Sequence, residues 1–378
     1  MPGPLDLPDL LPDFLPAFRP AAVAAACGAF ALMGALQAFY GPAIPALREE
    51  FGLSPSATGP ALSAHFVGGV VGVLLFDRLY GRIGNRRLLG CSYLLMATGA
   101  AGFALAPDWG AILGPALIGA VGADRHPTVF PALALVTLPL LRCLRGVRDH
   151  VPPQPGDTPG RPATAPARRA LRSVLTVFVA LYVLHVGIEA GVGGWEPTHL
   201  ETAGYGAGIA ATATSVCWLM MTAGRFLAAP LALRFSAQAI ITVSCAGMTA
   251  CLLPAAVPDL APYAYAGVGL FIAPIFPTGL PRLHRAAPHA RRAGALVIAA
   301  SLAGGVAAGP SLGKVIEWSG VRAVPLLLAA VSALCLAATL WLTRATRTPA
   351  RPSAPGPHPA RSTSLRTEPH RRGTPCPP

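Results

Sequence analysis

Apolar residues along this chain fall in long blocks, and each block ends in a short cluster of arginine, glycine, proline or acid. A helix satisfies its backbone hydrogen bonds internally, and about 20 apolar residues of helix cross the roughly 30 Å hydrocarbon core of a bilayer. In the first half such blocks run over Ala21–Leu47, Gly59–Phe76 and Leu88–Ala106, followed by two shorter pieces, Trp109–Ala123 and Pro127–Leu141. In the second half they run over Ser173–Trp195, Gly204–Leu233, Phe235–Val257, Ala261–Pro281, Ala293–Gly313 and Ala323–Thr343. The pattern predicts an all-α, polytopic membrane protein of about ten or eleven helices.

The polar stretches divide the chain. Residues 142–172 are rich in Pro and Arg without periodicity, which predicts a disordered linker between an N-terminal transmembrane bundle, 21–141, and a C-terminal six-helix bundle, 173–343. Residues 1–20 form an N-terminal segment, and residues 344–378 read as a disordered tail.

Orientation follows from the arginines, because short cytoplasmic loops accumulate positive charge. Arg78, Arg82, Arg86 and Arg87, the linker arginines, and Arg282, Arg285, Arg291 and Arg292 fall on one side if the N-terminus is inside. The expected topology is multi-pass in a bacterial plasma membrane, with both termini cytoplasmic. Counting the two short pieces as separate crossings would put the linker outside, and each is shorter than a crossing needs. The seam near 121–130, around Asp124, Arg125 and His126, therefore reads as one broken span or a re-entrant pair, leaving the N-terminal bundle incomplete.

Composition agrees with lipid as the solvent. The 378 residues are 53% hydrophobic and 12% charged, against roughly a quarter charged in soluble domains. The net charge of +13 comes almost wholly from arginine, lying between apolar blocks and in the tails rather than on one folded face, which argues against nucleic acid as a partner. The scattered cysteines lack ligand-like spacing. No GxSxG, HExxH, phosphate-binding glycine loop or Cys/His cluster is present, so neither an enzyme, nor a nucleotide-driven pump, nor a metal or cofactor is expected.

After the second span of each half comes a turn rich in Gly and Arg, DRLYGRIGNRRLL over Asp77–Leu89 and GRFLAAPLALRFS over Gly224–Ser236. Paired signals of this kind mark two pseudo-symmetric bundles. With Arg78, Leu79, Arg82, Gly84, Asn85, Arg86 and Arg87 in matching places, the first turn resembles the loop signature of the major facilitator superfamily. It departs from that signature at Asp77, where the family has glycine, and at Gly81, where it has an acid. The stretches Tyr182–Leu200, Ser215–Leu231 and Gly269–Pro281 are similar to the fucose-permease-like branch, which contains sugar:proton symporters. The resemblance implies a secondary transporter that moves a small polar solute, of sugar type, by alternating access coupled to protons. A monomer is expected, with the bilayer, the solute and protons as partners.

Charged groups inside a span are costly and mark candidate function. Glu189 lies beside Gly191, Gly193 and Gly194, and reads either as a proton-carrying or solute-binding acid or as a structural one. His185 is four residues earlier on the same helix face and offers proton exchange or packing; His65 stands under the same two readings. Gln37 and Tyr40 offer hydrogen bonds to a hydroxylated solute, and Trp195 and Trp218 offer flat surfaces for a sugar ring or interfacial anchors. Asp77, Arg78, Arg82, Gly84, Arg86 and Arg87, with Arg225 and Arg234, are assigned to the cytoplasmic gate and loop motif. Two other classes of function remain: a transport-inactive protein truncated at the seam, and a proton-coupled drug or metabolite exporter.

Overall fold

The computed structural model describes residues 34, 37–38, 41–79, 82–104, 165–279 and 291–345. The N-terminal segment, the two short pieces, the seam and the tail beyond 345 lie outside the described residues, as does Tyr40. The helices, labelled in chain order, are α1 (residues 41–51), α2 (Pro55–Leu79), α3 (Asn85–Ala104), α4 (Ala165–Thr202), α5 (Ala207–Arg234), α6 (Ala237–Leu252), α7 (Ala261–Ile272), α8 (Arg291–Ser319) and α9 (Val324–Ala345). Seven helices among the described residues are long and apolar enough to cross a membrane, and six of these belong to the second half.

Three helix ends run well beyond the sequence reading. Residues 165–172, assigned to the disordered linker, are helical, because Ala and Arg in PARRALR are strong helix formers and Pro166 sits in the first turn, where its missing N–H costs nothing. At its other end α4 runs past Trp195 to Thr202, carrying Glu196 and His199 into the bundle instead of an outer loop. Likewise α8 continues past Gly313 to Ser319. The turns that follow α4 and α8 contain Gly204 (φ 103°) and Gly320 (φ 78°), left-handed positions that stop a helix and that glycine alone occupies without strain.

The outer surface is greasy. Phe226, Leu233 and Trp318 are 78%, 88% and 82% exposed, which suits acyl chains and would be a liability in water. Hydroxyl groups on these surfaces bond back into their own helices, as Thr212 Oγ1 does to the Gly208 carbonyl at 2.7 Å and Ser311 Oγ to Ala307 at 2.6 Å. A polar group satisfied by its own helix can face lipid cheaply.

The core centres on α4, whose Phe178, Tyr182, Ile188, Trp195 and Leu200 are fully buried. It packs against α5, α8 and α9; α5 packs on α7, α6 on α7 and α9, and α2 lies along α8. Prolines decide where helices touch. A proline inside a helix removes the hydrogen bond to the carbonyl four residues earlier, and three such carbonyls receive a neighbouring helix. Pro310 frees the Val306 carbonyl, which accepts Ser63 Oγ of α2 at 2.6 Å. Pro197 frees that of Gly193, against which Gly41 of α1 packs so tightly that a Cβ would collide with it. Pro274, in the turn that follows α7, likewise cannot donate to the carbonyl of Leu270, which is approached in the same way by Gly224 of α5. Small residues permit these approaches and help satisfy the freed groups.

Candidate functional site

Positions 185, 189, 196 and 199 of α4 recur at helical spacing and share one face. That face turns toward α5 and α7, so the helix presents its titratable side chains to the interior of the second bundle. The polar stripe follows directly from sequence spacing; the partners come from tertiary packing.

Glu189 is 14% exposed and is approached from two sides. Arg225 of α5 brings Nη2 to 3.5 Å from Glu189 Oε1, and His185 Nε2 stands 3.8 Å from Oε2. Neither is a short hydrogen bond: the arginine contact is ionic, and the histidine contact is ionic only when the ring is protonated. The sequence reading grouped Arg225 with the loop motif; its guanidinium instead reaches the α4 carboxyl while Nη2 also contacts Met221 Sδ at 3.5 Å. A carboxylate away from water needs such a counter-charge, and Arg225, at 54% exposed, keeps the pair in touch with the open side.

His185 is held in an aromatic frame. Its ring stacks on Phe276 at 6.5 Å with a 28° interplanar angle, and Tyr182 closes edge-on at 6.4 Å. Tyr182 Oη donates to the Phe276 carbonyl at 3.3 Å, which fixes that frame. His185 Nδ1 has no hydrogen-bond partner among the described residues.

Beside Glu189 lies a small cleft walled by Val192 and Gly193 of α4, Cys217, Trp218 and Met221 of α5, and Val268, Gly269 and Ile272 of α7. Gly193 is required here, because a Cβ would stand 2.9 Å from Trp218 Cζ2. Trp218 therefore brings the Cζ2 edge of its indole against α4 at the cleft wall. Its indole Nε1 lacks a partner among the described residues.

The other sequence candidates are dispersed. Trp195 is fully buried in the core and lines no part of this cleft, so it is a packing residue here and not a surface for a sugar ring. His65 is half-buried in α2, edge-on to Phe66 at 5.4 Å, and Gln37 is half-buried in the first span. Asp77 ends α2 with Arg78; Arg78, Arg82, Arg86 and Arg87 are exposed around the α2–α3 turn with Gly84, and Arg234 is exposed at the end of α5. None of these is brought to Glu189 by the contacts described.

Sequence reasoning missed Glu196, His199 and Tyr265. Glu196 is 1% exposed and His199 2%, and Tyr265 Oη lies 3.2 Å from His199 Nδ1. The signal is present in the sequence: the 3.6-residue spacing that joins 185 to 189 continues through 196 and 199, beyond the expected span end at Trp195. Among the described residues no group of three or more His, Cys, Asp or Glu is placed to hold a metal ion.

The sequence profile of the Major Facilitator Superfamily matches residues 26–123, ending inside the expected seam. No curated protein matches the chain. Among solved structures, the transporter FucP in the outward conformation is 15% identical, with a TM-score of 0.60 over 84% of this chain and 98% of its own. A D-xylose-proton symporter is 13% identical at TM-score 0.62, covering 85% and 96%, and the nucleoside transporter NupG is 13% identical at 0.60, covering 86% and 100%. At such identities the likeness shows the fold: the chain is a multi-pass helical protein with the fold of major facilitator transporters.

Proposed function

We propose that this chain is a secondary active transporter of the plasma membrane that moves a small polar solute, of sugar type, by alternating access driven by a proton gradient. The observation that carries the reading is Glu189, a carboxyl within a membrane-length helix, held between Arg225 and His185 at the wall of a cleft faced by Trp218. Carboxyls at that depth are expensive and are retained where charge or protons move.

In this mechanism a proton on Glu189 removes the charge that holds Arg225 and frees α5 to shift against α4. Loss of the proton restores the pair. The cleft, about 10 Å³ as it stands, opens to a solute only when α4 and α5 part; Trp218 then gives a ring-shaped solute a flat apolar surface, and Glu189 itself supplies hydrogen bonding. Resemblance to symporters of a pentose and of fucose-permease type supports the solute class, and the arginine pattern supports cytoplasmic termini.

The apolar cleft wall of Val192, Met221, Val268 and Ile272 favours a second reading, a proton-coupled exporter of a less polar metabolite. One experiment separates them. Proteoliposomes holding the full chain are tested with pentoses, hexoses, nucleosides and apolar cations, with and without an acid exterior. Gradient-dependent accumulation of a hydroxylated solute is expected; accumulation that ignores the gradient, or efflux of apolar cations alone, would contradict the symport reading.

A further inference from the structure

We propose that Glu196 is a second proton-binding site of this chain, separate from Glu189 and reached through His199 and Tyr265. The argument starts from α4, which carries Glu196 seven residues beyond Glu189, two helical turns and about 10 Å along the axis. Glu189 has an arginine and a histidine facing it. At Glu196 the surroundings differ: neither carboxyl oxygen has a hydrogen-bond partner among the described residues, and the side chain is 1% exposed.

The groups that face it are few. Cys217 of α5 and Tyr265 of α7 are its polar neighbours across the helix interfaces, and Cys217 also borders Glu189. His199, one turn further along α4, meets Tyr265 Oη through Nδ1 at 3.2 Å, and Arg322, in the turn before α9, faces His199. An ionised carboxyl in this setting is acceptor-only and has the weak thiol donor of Cys217 beside it, whereas a protonated one carries its own O–H donor and no charge.

Size selects the ligand. The cleft beside Glu189 reaches Cys217, and Glu196 is not among its lining residues. No cluster of metal-ligating side chains is described there. A proton needs neither volume nor a coordination shell, and it meets the demand that the buried carboxyl creates.

Exchange follows the Tyr265–His199 contact. A protonated His199 gives its Nδ1 proton to the Tyr265 oxygen while the Tyr265 O–H proton passes to Glu196, a step that requires the Tyr265 hydroxyl to swing into hydrogen-bond reach of a carboxyl it does not contact at rest. The imidazolium loses one proton, the carboxylate gains one, and the tyrosine is unchanged. The site itself stands on geometry alone; its use in transport rests on the proton coupling proposed above.

The test is infrared difference spectroscopy of the purified full chain across a pH titration, reading the C=O band of protonated carboxyls that resist rapid deuterium exchange. The wild type is expected to show two such titrating groups. Glu189→Gln should keep one and Glu196→Gln should keep the other. Loss of every such band in Glu189→Gln, or an unchanged spectrum in Glu196→Gln, would overturn the proposal. If Glu196→Gln does not fold, the Glu189→Gln spectrum still decides, and adding His199→Gln to it should slow exchange of the remaining band. A protein that transports nothing would sink the functional reading without altering this spectrum, so the two failures are distinguishable.

Discussion

Glu189 and Arg225 meet across the α4–α5 interface, and their 3.5 Å separation ties the position of one helix to the charge state of the other. Replacing Arg225 with Gln leaves the carboxyl without its guanidinium, so initial gradient-driven uptake in proteoliposomes should fall about tenfold or more. Arg225→Lys keeps a cation on a flexible stem and should retain part of the rate. Equal rates for wild type and Arg225→Gln would remove the pair from the mechanism. At this scale the sequence was partly legible. Glu189 and His185 stood out because charge inside an apolar block is costly and because four residues make one helical turn. Arg225 was visible as a residue but not as a partner, since local sequence does not encode the register between two helices. Trp195 shows the reverse error: position near a span end suggested an interface, while packing places it at 0% exposure.

Helices in this chain meet where a proline has opened a carbonyl. The Ser63–Val306 hydrogen bond at 2.6 Å is the clearest case, because it joins α2 of the first half to α8 of the second at a group that Pro310 leaves without an intrahelical donor. Ser63→Ala removes the donor and strands a half-buried carbonyl, at an expected cost of about 1 kcal/mol. Thermal unfolding of the detergent-purified protein should register that loss, and an unchanged midpoint would show that the carbonyl is satisfied otherwise. The same bond must break if the two halves rock apart on this side. Element existence was legible from hydropathy in every described span, because lipid demands long apolar helices. Element ends were less so: Pro197 and Glu196 look like a stop, yet Pro197 sits in a helix whose freed carbonyl is covered by Gly41, and tertiary packing overrides the local signal.

The whole molecule reads as a membrane transporter fold because its apolar blocks exceed any soluble core and because glycine and proline set close helix contacts. What length alone left open is the seam near 121–130, where two pieces of about 15 residues match neither one crossing nor two. That region lies outside the described residues, so the second bundle, with α1 and α2 packed on it, carries the account. Its central claim is that proton movement and solute movement pass through Glu189. The most direct measurement is solute-induced proton entry into proteoliposomes, read with a trapped pH-sensitive dye, for wild type and Glu189→Gln at matched protein content. The account predicts acidification of the lumen on solute addition for wild type and none for Glu189→Gln. Acidification of the same size in both would contradict it.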